Sequence, residues 1–466
     1  MRYATPNSHL TVILVTCALL AIGWLTVPDP RFLVVLCLLP LGALFVVNQT
    51  FWLVSLFVVF SFFRIHEAIP SLYNLRIPLL LSLGSLAALG WHMLISQQLK
   101  PFWHPVLTWM SAFWLLVIVG IVFAANRGIA IEYFKNIYWK IMVMSLAICW
   151  LVNTVSSLKK ISILIMFAGL LIAGVAISNS VNGIGLVEGT RVTIGRDFGS
   201  MLGDPNDLSL VLMFPLAFSL SLSMTRSLGF VRVLGIICSI AALIAVIATQ
   251  SRGGLLGCVA VLGMLGLKHI RSKALLISIG VVAALALFAV AGISDRQSGG
   301  AAEEGLDASA MGRLYAWEAA FKMALERPIS GVGLDNFYVN YFYYSPHWDG
   351  LNHAVHSTWF GVLAETGFLG LIIFIGFIVC LLKTCRKSIA LIDATPEAFS
   401  PYIHATTYAV FSGIVGTIVS GTFLTQGFNW PIYILAALTV ACHRVIQSDS
   451  QNKNHARKPF QENSSI

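Results

Sequence analysis

The sequence predicts an all-α polytopic integral membrane protein with about 12–14 transmembrane helices and one long polar loop that contains short helices. Of its 466 residues, 58% are hydrophobic and only 11% are charged, and the mean hydropathy is +0.84. Soluble domains carry about 25% charged residues. The apolar runs continue for about 17–25 residues, the length that crosses a hydrocarbon core of about 30 Å as a helix. They do not alternate with polar residues as barrel strands do.

Residues 1–178 form the N-terminal group of predicted spans. The first span resembles a signal peptide, but it lacks a convincing small-residue cleavage site, so we expect an uncleaved helix. Little more than Asn48 and Gln49 separates the second span from the third, and a later span, 254–268, is short. A count of about 12 therefore stays open beside 14. The predicted spans of this group are 9–27, 31–47, 49–66, 75–95, 105–124, 138–155 and 161–178.

Two polar loops divide the rest of the chain, at 179–205 and 293–356. The tail, 447–466, is polar and basic, and we expect it to be disordered and cytoplasmic. Central spans fill 206–292 and C-terminal spans fill 357–446. The predicted spans of these two groups are 206–225, 230–249, 254–268, 273–292, 357–383, 403–421 and 428–446.

Basic residues in the short loops orient these helices. Lys159 with Lys160, the run 383–387 and the tail fall on one side, which the positive-inside rule makes cytoplasmic. The loops 179–205 and 293–356 and the turn at 249–254 then share the opposite side. Cytoplasmic ATP, nucleotide sugars and glutathione do not reach that side. A reaction there needs a substrate that is already energised and already across the membrane.

The net charge and the cysteines also have an explanation in the membrane. A net charge of +9 would suggest a nucleic-acid partner in a soluble protein, but here Lys and Arg collect in the loops that anchor topology. All eight cysteines lie in or beside apolar runs, which favours neither a disulfide framework nor a zinc site. We therefore expect no nucleic acid, metal or cofactor.

Arginines on the non-cytoplasmic side are the first candidate site residues, because positive-inside pressure works against cations there. Interfacial anchoring, a local salt bridge or snorkelling is the alternative for each of them. Asp204 and Pro205 predict the start of a helix, and a helix N-terminus beside guanidinium groups suits a phosphate. The arginines are Arg191, Arg196, Arg252 and Arg313.

The long loop predicts a helix around Met311–Phe321 with Arg313 near its start. Leu314, Trp317 and Phe321 fall on one face, which suits a helix lying in the membrane plane. Pro328 ends this helix, and glycines at 331 and 333 supply a turn. The aromatic cluster from Tyr338 to Tyr344 is typical of an interfacial belt, and the alternative is stacking against sugar rings.

Two histidines close the loop. Asp349, His353 and His356 are spaced i, i+4 and i+7, which would form a metal site if this stretch were helical. Pro346 and Asn352 favour an irregular segment instead, and interfacial histidines satisfied by local partners are a further alternative. His356 directly precedes a new span, whose positive end disfavours imidazolium. A neutral imidazole at that place is a competent general base.

These stretches resemble the O-antigen ligase and O-antigen polymerase superfamily of bacterial membrane glycosyltransferases. The resemblance covers the C-terminal half specifically and the N-terminal half only through its spans. Phe360 stands where the family often has leucine, and His353 competes with His356 for the histidine position. The 190–209 segment looks most like exosortase-associated O-glycosylation ligases. The matching stretches are Ser251-Arg252-Gly253-Gly254, Gly312-Arg313 with Trp317, Pro328 with Gly331-Val332-Gly333, His356-Ser357-Thr358-Trp359, and 364–370.

The resemblance implies a fold like that of C-type membrane glycosyltransferases and an inverting, metal-independent transfer without a cofactor. The donor is an undecaprenyl-pyrophosphate-linked glycan, and the acceptor is a hydroxyl of lipid A–core or another surface molecule. His356 takes the hydroxyl proton at the periplasmic face of the bacterial inner membrane. The other implied roles are pyrophosphate binding by Arg191, Arg196, Arg252 and Arg313, and support by His353, Trp317, Tyr338 and Asp204.

Three alternatives stay open. A polymerase would extend a lipid-linked chain, and a protein O-oligosaccharyltransferase would glycosylate serine. A transporter or flippase of lipid-linked sugars belongs to a different class. Transporters commonly have paired repeats and charges near the membrane midplane, and the sequence shows no convincing repeat and few such charges, which disfavours this reading.

The predicted topology can be tested by cysteine labelling at position 298. A membrane-impermeant thiol reagent should label Ser298→Cys in spheroplasts more strongly than it labels the parent protein, because 293–356 is expected on the non-cytoplasmic side. Labelling after permeabilisation serves as the control. Reaction only after permeabilisation would place the loop in the cytoplasm.

Overall fold

The computed structural model describes residues 17–18, 21–23, 30–267, 270, 272–290 and 308–456. The described residues are helical apart from turns, loops and a single antiparallel bridge between Val187 and Arg191. We number the α-helices α1 (Pro30–Asn48), α2 (Thr50–Phe62), α3 (Ile65–Ala68), α4 (Pro70–Tyr73), α5 (Ile77–Gly90), α6 (Pro105–Phe123), α7 (Arg127–Tyr133), α8 (Trp139–Leu151), α9 (Val155–Asn182), α10 (Pro205–Met224), α11 (Phe230–Thr249), α12 (Arg252–Gly266), α13 (Lys273–Val290), α14 (Ala308–Glu326), α15 (Phe337–Tyr344), α16 (Thr358–Ala394), α17 (Pro401–Gly421) and α18 (Trp430–Ala456).

A helix lies over every predicted span from 31–47 to 428–446, and the first predicted span falls largely outside the described residues. Eight described helices are long and apolar enough to cross a membrane, or nine if the bent pair Pro40–Asn48 and Thr50–Phe62 counts as one span. Arg252–Gly266 and Ile277–Leu287 are shorter apolar helices. The protein is therefore an all-α polytopic membrane protein, as predicted.

The chain divides into two compact units. One comprises residues up to Phe57 together with Leu79–Lys100, and the other comprises Val58–Pro78 with everything from Pro101 onward. Within the first unit, the His92 ring Nε2 lies 2.9 Å from the carbonyl oxygen of Val47. The candidate site residues all belong to the second unit.

Helices α10, α17 and α18 form the most buried part of the second unit, with 72–83% of their most apolar windows inside the structure. Small residues allow this packing. A Cβ added at Gly257 of α12 would lie only 3.2 Å from the carbonyl oxygen of Gly416 in α17. Hydroxyl groups add bonds between helices. The Ser221 hydroxyl donates to the Ala405 carbonyl at 2.6 Å.

A joint between the loop after α14 and helix α16 fixes the segment that carries His356. Gly367 interrupts α16 with φ 69° and ψ −172°, a conformation available almost only to glycine. The Phe368 amide there donates to the Pro328 carbonyl at 2.8 Å, and the Val332 amide donates to the Ala364 carbonyl at 2.8 Å. These bonds explain why glycines occur in both sequence motifs, 331–333 and 364–370.

Two local expectations are corrected. Trp317 does not share a membrane-facing stripe with Leu314 and Phe321, which are 47% and 44% exposed, because its ring turns inward and stacks on Phe360. The last helix continues to Ala456, so the segment from 447 that we expected to be disordered is helical as far as that residue.

Substitution Gly367→Ala should destabilise the protein by at least about 1–3 kcal/mol, because L side chains avoid this conformation. An added Cβ would also lie 2.4 Å from the Pro328 carbonyl oxygen. Thermal unfolding in detergent measures the effect. Gly174→Ala in α9 is the matched control, since nothing lies within 4 Å of its Cβ position. Equal melting temperatures for the two variants would contradict the role of the joint.

Candidate functional site

Arg191 is 3% exposed and joins three segments of the chain. Its Nε donates to the Thr249 carbonyl at 3.1 Å, and its Nη2 donates to Asn206 Oδ1 at 3.1 Å. The Glu188 carboxylate lies 3.8 Å from Nη1. A buried guanidinium needs such partners to remain charged at acceptable cost. The loop after α9 is thereby tied to the end of α11 and the start of α10.

Asn206 extends this arrangement to a second helix start. Its Oδ1 also accepts a hydrogen bond from the Ser251 hydroxyl at 3.0 Å. Ser251 is the N-cap of α12, and its side chain accepts from the Gly254 amide. The two helix starts approach closely, because a Cβ on Gly254 would lie 2.3 Å from Ser209 Oγ. Two positive helix ends therefore meet beside the Arg191 charge.

Asp204 caps α10, as its sequence context predicts. Its Oδ1 accepts from the amides of Asn206 at 2.7 Å and Asp207 at 3.3 Å, and Pro205 occupies the first turn. The cap places a carboxylate at the same end of the bundle as Arg191. An anion among these cations limits the net positive charge of the site.

His356 stands directly before the N-cap of α16 in a left-handed conformation, with φ 44°. Ser357 is that N-cap, and its hydroxyl accepts from the Phe360 amide. Left-handed backbone is uncommon for residues other than glycine and often occurs at functional sites. Trp317 fixes the residue before His356, since its indole Nε1 donates to the Val355 carbonyl at 3.1 Å. Its ring also stacks on the Phe360 ring, with centroids 5.0 Å apart.

Charges from separate loops act on the His356 imidazole. Burial is the largest cause that lowers its pKa below the ordinary 6.5, and the positive charge of Arg313 is the next. Asp204 opposes both, whereas His353 and Arg191 lower the pKa further. Charges on the loop after α9 and on the segment from Arg313 to His356 therefore both influence this ring. Burial and the positive charges therefore both favour the neutral form of the His356 imidazole.

The remaining predicted site residues lie farther out or at the rim. Arg196 is exposed, and its Nη1 donates to the Gly203 carbonyl at 3.3 Å. Arg252 is half-buried in the first turn of α12, directly after Ser251. Tyr338 is 54% exposed on α15. The charges of Arg191, Arg313, Asp204 and His353 thus act on His356, whereas Arg196 and Tyr338 are exposed.

The helical arrangement that would place Asp349, His353 and His356 on one face does not occur, because residues 345–357 are irregular. His353 instead pairs with Asp349, whose two carboxylate oxygens lie 3.0 Å from its Nε2. This hydrogen bond lowers the pKa of the exposed Asp349 carboxyl. In the described part of the chain, no His, Cys, Asp and Glu side chains group in threes as metal ligands.

Glu365 and Asn206 are functional candidates that the sequence reasoning missed. Glu365 is buried in α16 and accepts from the amides of Asp335 at 2.9 Å and Phe337 at 3.3 Å. It fastens the loop before α15 to the helix that follows His356. A lone acid in a long apolar span is the signal that could have identified it. Asn206 offered no comparable signal.

A cavity of about 560 Å³ lies away from His356. Thr225, Arg226, Glu397 and His404 are among its lining residues. Thr225 follows the end of α10 and His404 lies at the start of α17, so the cavity is at the opposite ends of the helices from Asp204. Chemistry and cavity size therefore point to different places, and the charges favour the His356 end.

Substitution Asn206→Leu should reduce stability by about 1–3 kcal/mol, because it removes the acceptor of both Arg191 and Ser251 and leaves buried donors unpaired. Asn206→Asp is the matched control, since it keeps an oxygen in that place. Thermal unfolding of the two purified variants is the measurement. A leucine variant as stable as the aspartate variant would show that this junction contributes little.

Comparison with known families found a match that begins near the middle of the chain. Residues 236–375 match the family model described as O-Antigen ligase. The matched segment contains Ser251, Arg252, Arg313 and His356, whereas Arg191 precedes it. A search of curated proteins found no match to the chain.

Proposed function

We propose that this chain, a multi-pass membrane protein of the O-antigen ligase superfamily, transfers a glycan from undecaprenyl pyrophosphate to an acceptor hydroxyl at the periplasmic face of the bacterial inner membrane. The family match supports ligase-type or polymerase-type glycan transfer. The observation that carries the finer proposal is that the charges of Arg313, Arg191 and Asp204 all act on the buried His356 imidazole, which directly precedes α16. The acceptor that we propose is lipid A–core or a similar surface molecule.

The proposed reaction is one displacement at the anomeric carbon. The acceptor oxygen bonds to this carbon while the bond from the carbon to the pyrophosphate oxygen breaks. His356 accepts the hydroxyl proton, and undecaprenyl pyrophosphate leaves with the bonding electron pair. Attack opposite the leaving group inverts the anomeric configuration. The lowered pKa keeps the imidazole neutral and ready to accept the proton.

The arginines have two different electrostatic roles. Arg191 is buried and uses Nε and Nη2 on protein partners, so it contributes its charge and holds the loops together. Arg196, Arg252 and Arg313 are more exposed and are the residues proposed to contact the phosphates. Guanidinium forks match phosphate geometry, and fixed positive charge stabilises the departing diphosphate.

These guanidinium groups supply the positive charge that a divalent ion supplies in many other diphosphate-releasing transfers. We therefore propose that transfer is metal-independent and continues in EDTA. Loss of transfer in EDTA, with recovery on adding a divalent cation, would contradict this part of the proposal. The assay uses membranes that contain the full-length chain.

Substitution His356→Ala should lower the turnover of glycan transfer by about 10²–10⁴-fold, the usual contribution of a general base. Its amount in the membrane should stay near that of the parent protein. His404→Ala is the matched control, because His404 lines the cavity at the opposite ends of the helices. The measurement is incorporation of glycan into the acceptor. A His356→Ala variant that retains transfer would remove this residue from the mechanism.

Substitution Arg313→Gln should move the acidic limb of the pH–rate profile to higher pH. Arg313 disfavours imidazolium and so lowers the pKa of His356, and its removal raises that pKa. A base works only while it is neutral, so activity should then be lost at a higher pH as the medium is acidified. The midpoint of the kcat/KM profile separates this effect from weaker donor binding. An unchanged midpoint would contradict the assignment of His356 as the base.

A further inference from the structure

We propose that Arg64, His66 and Glu67, with the rings of Tyr73 and Phe198, form a subsite for a sugar of the glycan substrate. This inference rests on the proposed function. Arg64 is the N-cap of the short helix α3, His66 and Glu67 lie within that helix, and Tyr73 ends α4. Phe198 lies in the loop after α9, two residues beyond Arg196. The subsite thus adjoins the loop that supplies arginines to the proposed pyrophosphate site.

Buried polar atoms without partners mark this place. Within the described residues, Arg64 Nε and Glu67 Oε2 are shielded from solvent and have no hydrogen-bond partner. The Glu67 side chain is only 9% exposed. Buried polar atoms in folded proteins are nearly always paired, so two neighbouring exceptions need an explanation. A ligand that supplies both donors and acceptors would satisfy them.

The cluster is also internally fixed. Glu67 Oε1 accepts from Arg64 Nη1 and lies 3.6 Å from His66 Nε2. Arg64 adopts a left-handed conformation, with φ 50° and ψ 39°, at the N-cap of α3. The ion pair uses one carboxylate oxygen and one guanidinium nitrogen. It leaves Glu67 Oε2 and Arg64 Nε without a partner among the described residues. The Arg64 side chain is 29% exposed, so the cluster reaches the surface there.

The chemistry of these atoms favours a polyol over a phosphate. Glu67 Oε2 accepts hydrogen bonds and would repel a phosphate oxygen, whereas Arg64 Nε donates. Sugar hydroxyls both donate and accept, so one sugar can satisfy the whole set. Burial is the largest cause that lowers the pKa of His66, and a hydrogen bond with the Phe60 backbone holds its ring beside Glu67.

An aromatic pair lies on the same segment. The Tyr73 and Phe198 rings stack with centroids 5.0 Å apart, and both remain exposed, at 41% and 53%. The Glu67 carbonyl oxygen lies 3.6 Å from the Cβ position of Gly195, so the cluster and the arginine loop are packed together. Exposed rings beside polar groups give the apolar face of a sugar a surface to contact.

The location suggests a role in selecting the glycan. The family match begins at residue 236, so 64–73 and 195–198 both precede it. His356, the proposed base, lies within it. The matched segment thus carries the proposed base, whereas the earlier segments carry Arg191, Arg196 and the residues of the sugar subsite.

Binding of two lipids to the full-length chain in nanodiscs tests the subsite. One probe is the polyprenyl-pyrophosphate-linked glycan fraction from membranes of the native host. The other is synthetic undecaprenyl pyrophosphate, which lacks sugar. The parent protein should bind the glycan lipid at least about tenfold more tightly, the factor expected for a few satisfied polar contacts.

Substitutions Glu67→Gln and Tyr73→Ala should each remove most of that preference and leave binding of undecaprenyl pyrophosphate within about twofold of the parent. Tyr73→Ala guards against misfolding, since this ring is exposed. Glu397→Gln is the matched control, because Glu397 lines the cavity at the opposite helix ends and should keep the full preference.

Each result separates the subsite from the proposed function. Variants that keep the preference, or a parent protein that binds both lipids equally, would overturn the subsite and leave pyrophosphate recognition standing. A parent protein that binds neither lipid would contradict the proposed function, and the subsite would fall with it. Equal weakening of both lipids in Tyr73→Ala would also overturn the sugar assignment.

Discussion

The buried guanidinium of Arg191 imposes the constraint on which the candidate site depends. An ionised group at 3% exposure is tolerable only when fixed dipoles and hydrogen-bond acceptors replace its water. Thr249 and Asn206 provide those acceptors, and Asn206 then recruits Ser251. Satisfying one cation thus brings a loop and two helix starts into one place. The positive ends of α10 and α12 add to the same field.

A second constraint positions the other half of the site. Gly367 lets α16 bend, and Glu365 and the backbone around it hold the loop that follows α14. Because His356 immediately precedes α16, this joint determines where its imidazole stands. The left-handed backbone of His356 persists because Trp317 and Ser357 fix the residues on both sides of it. Arg313, one turn before Trp317 in α14, is carried to the same ring.

Hydropathy predicted the helices because lipid demands long apolar segments whose backbone bonds are satisfied within the helix. Local chemistry also predicted the Asp204 cap and the end of α14 before Pro328. Helical periodicity did not predict the orientation of Trp317, because that orientation depends on tertiary packing. Trp317 turns inward because Phe360 and the Val355 carbonyl lie there, and neither is near it in sequence. The sequence did not predict the cluster at Arg64, because only the structure shows that its polar atoms are buried.

The configuration of the new glycosidic bond tests the central claim most directly. The purified chain in proteoliposomes would receive a lipid-linked glycan of known anomeric configuration and an acceptor, and NMR of the product would report the linkage. A single displacement assisted by His356 predicts a product of inverted configuration. A product of retained configuration would contradict this account, because it requires an intermediate that the proposed reaction does not contain.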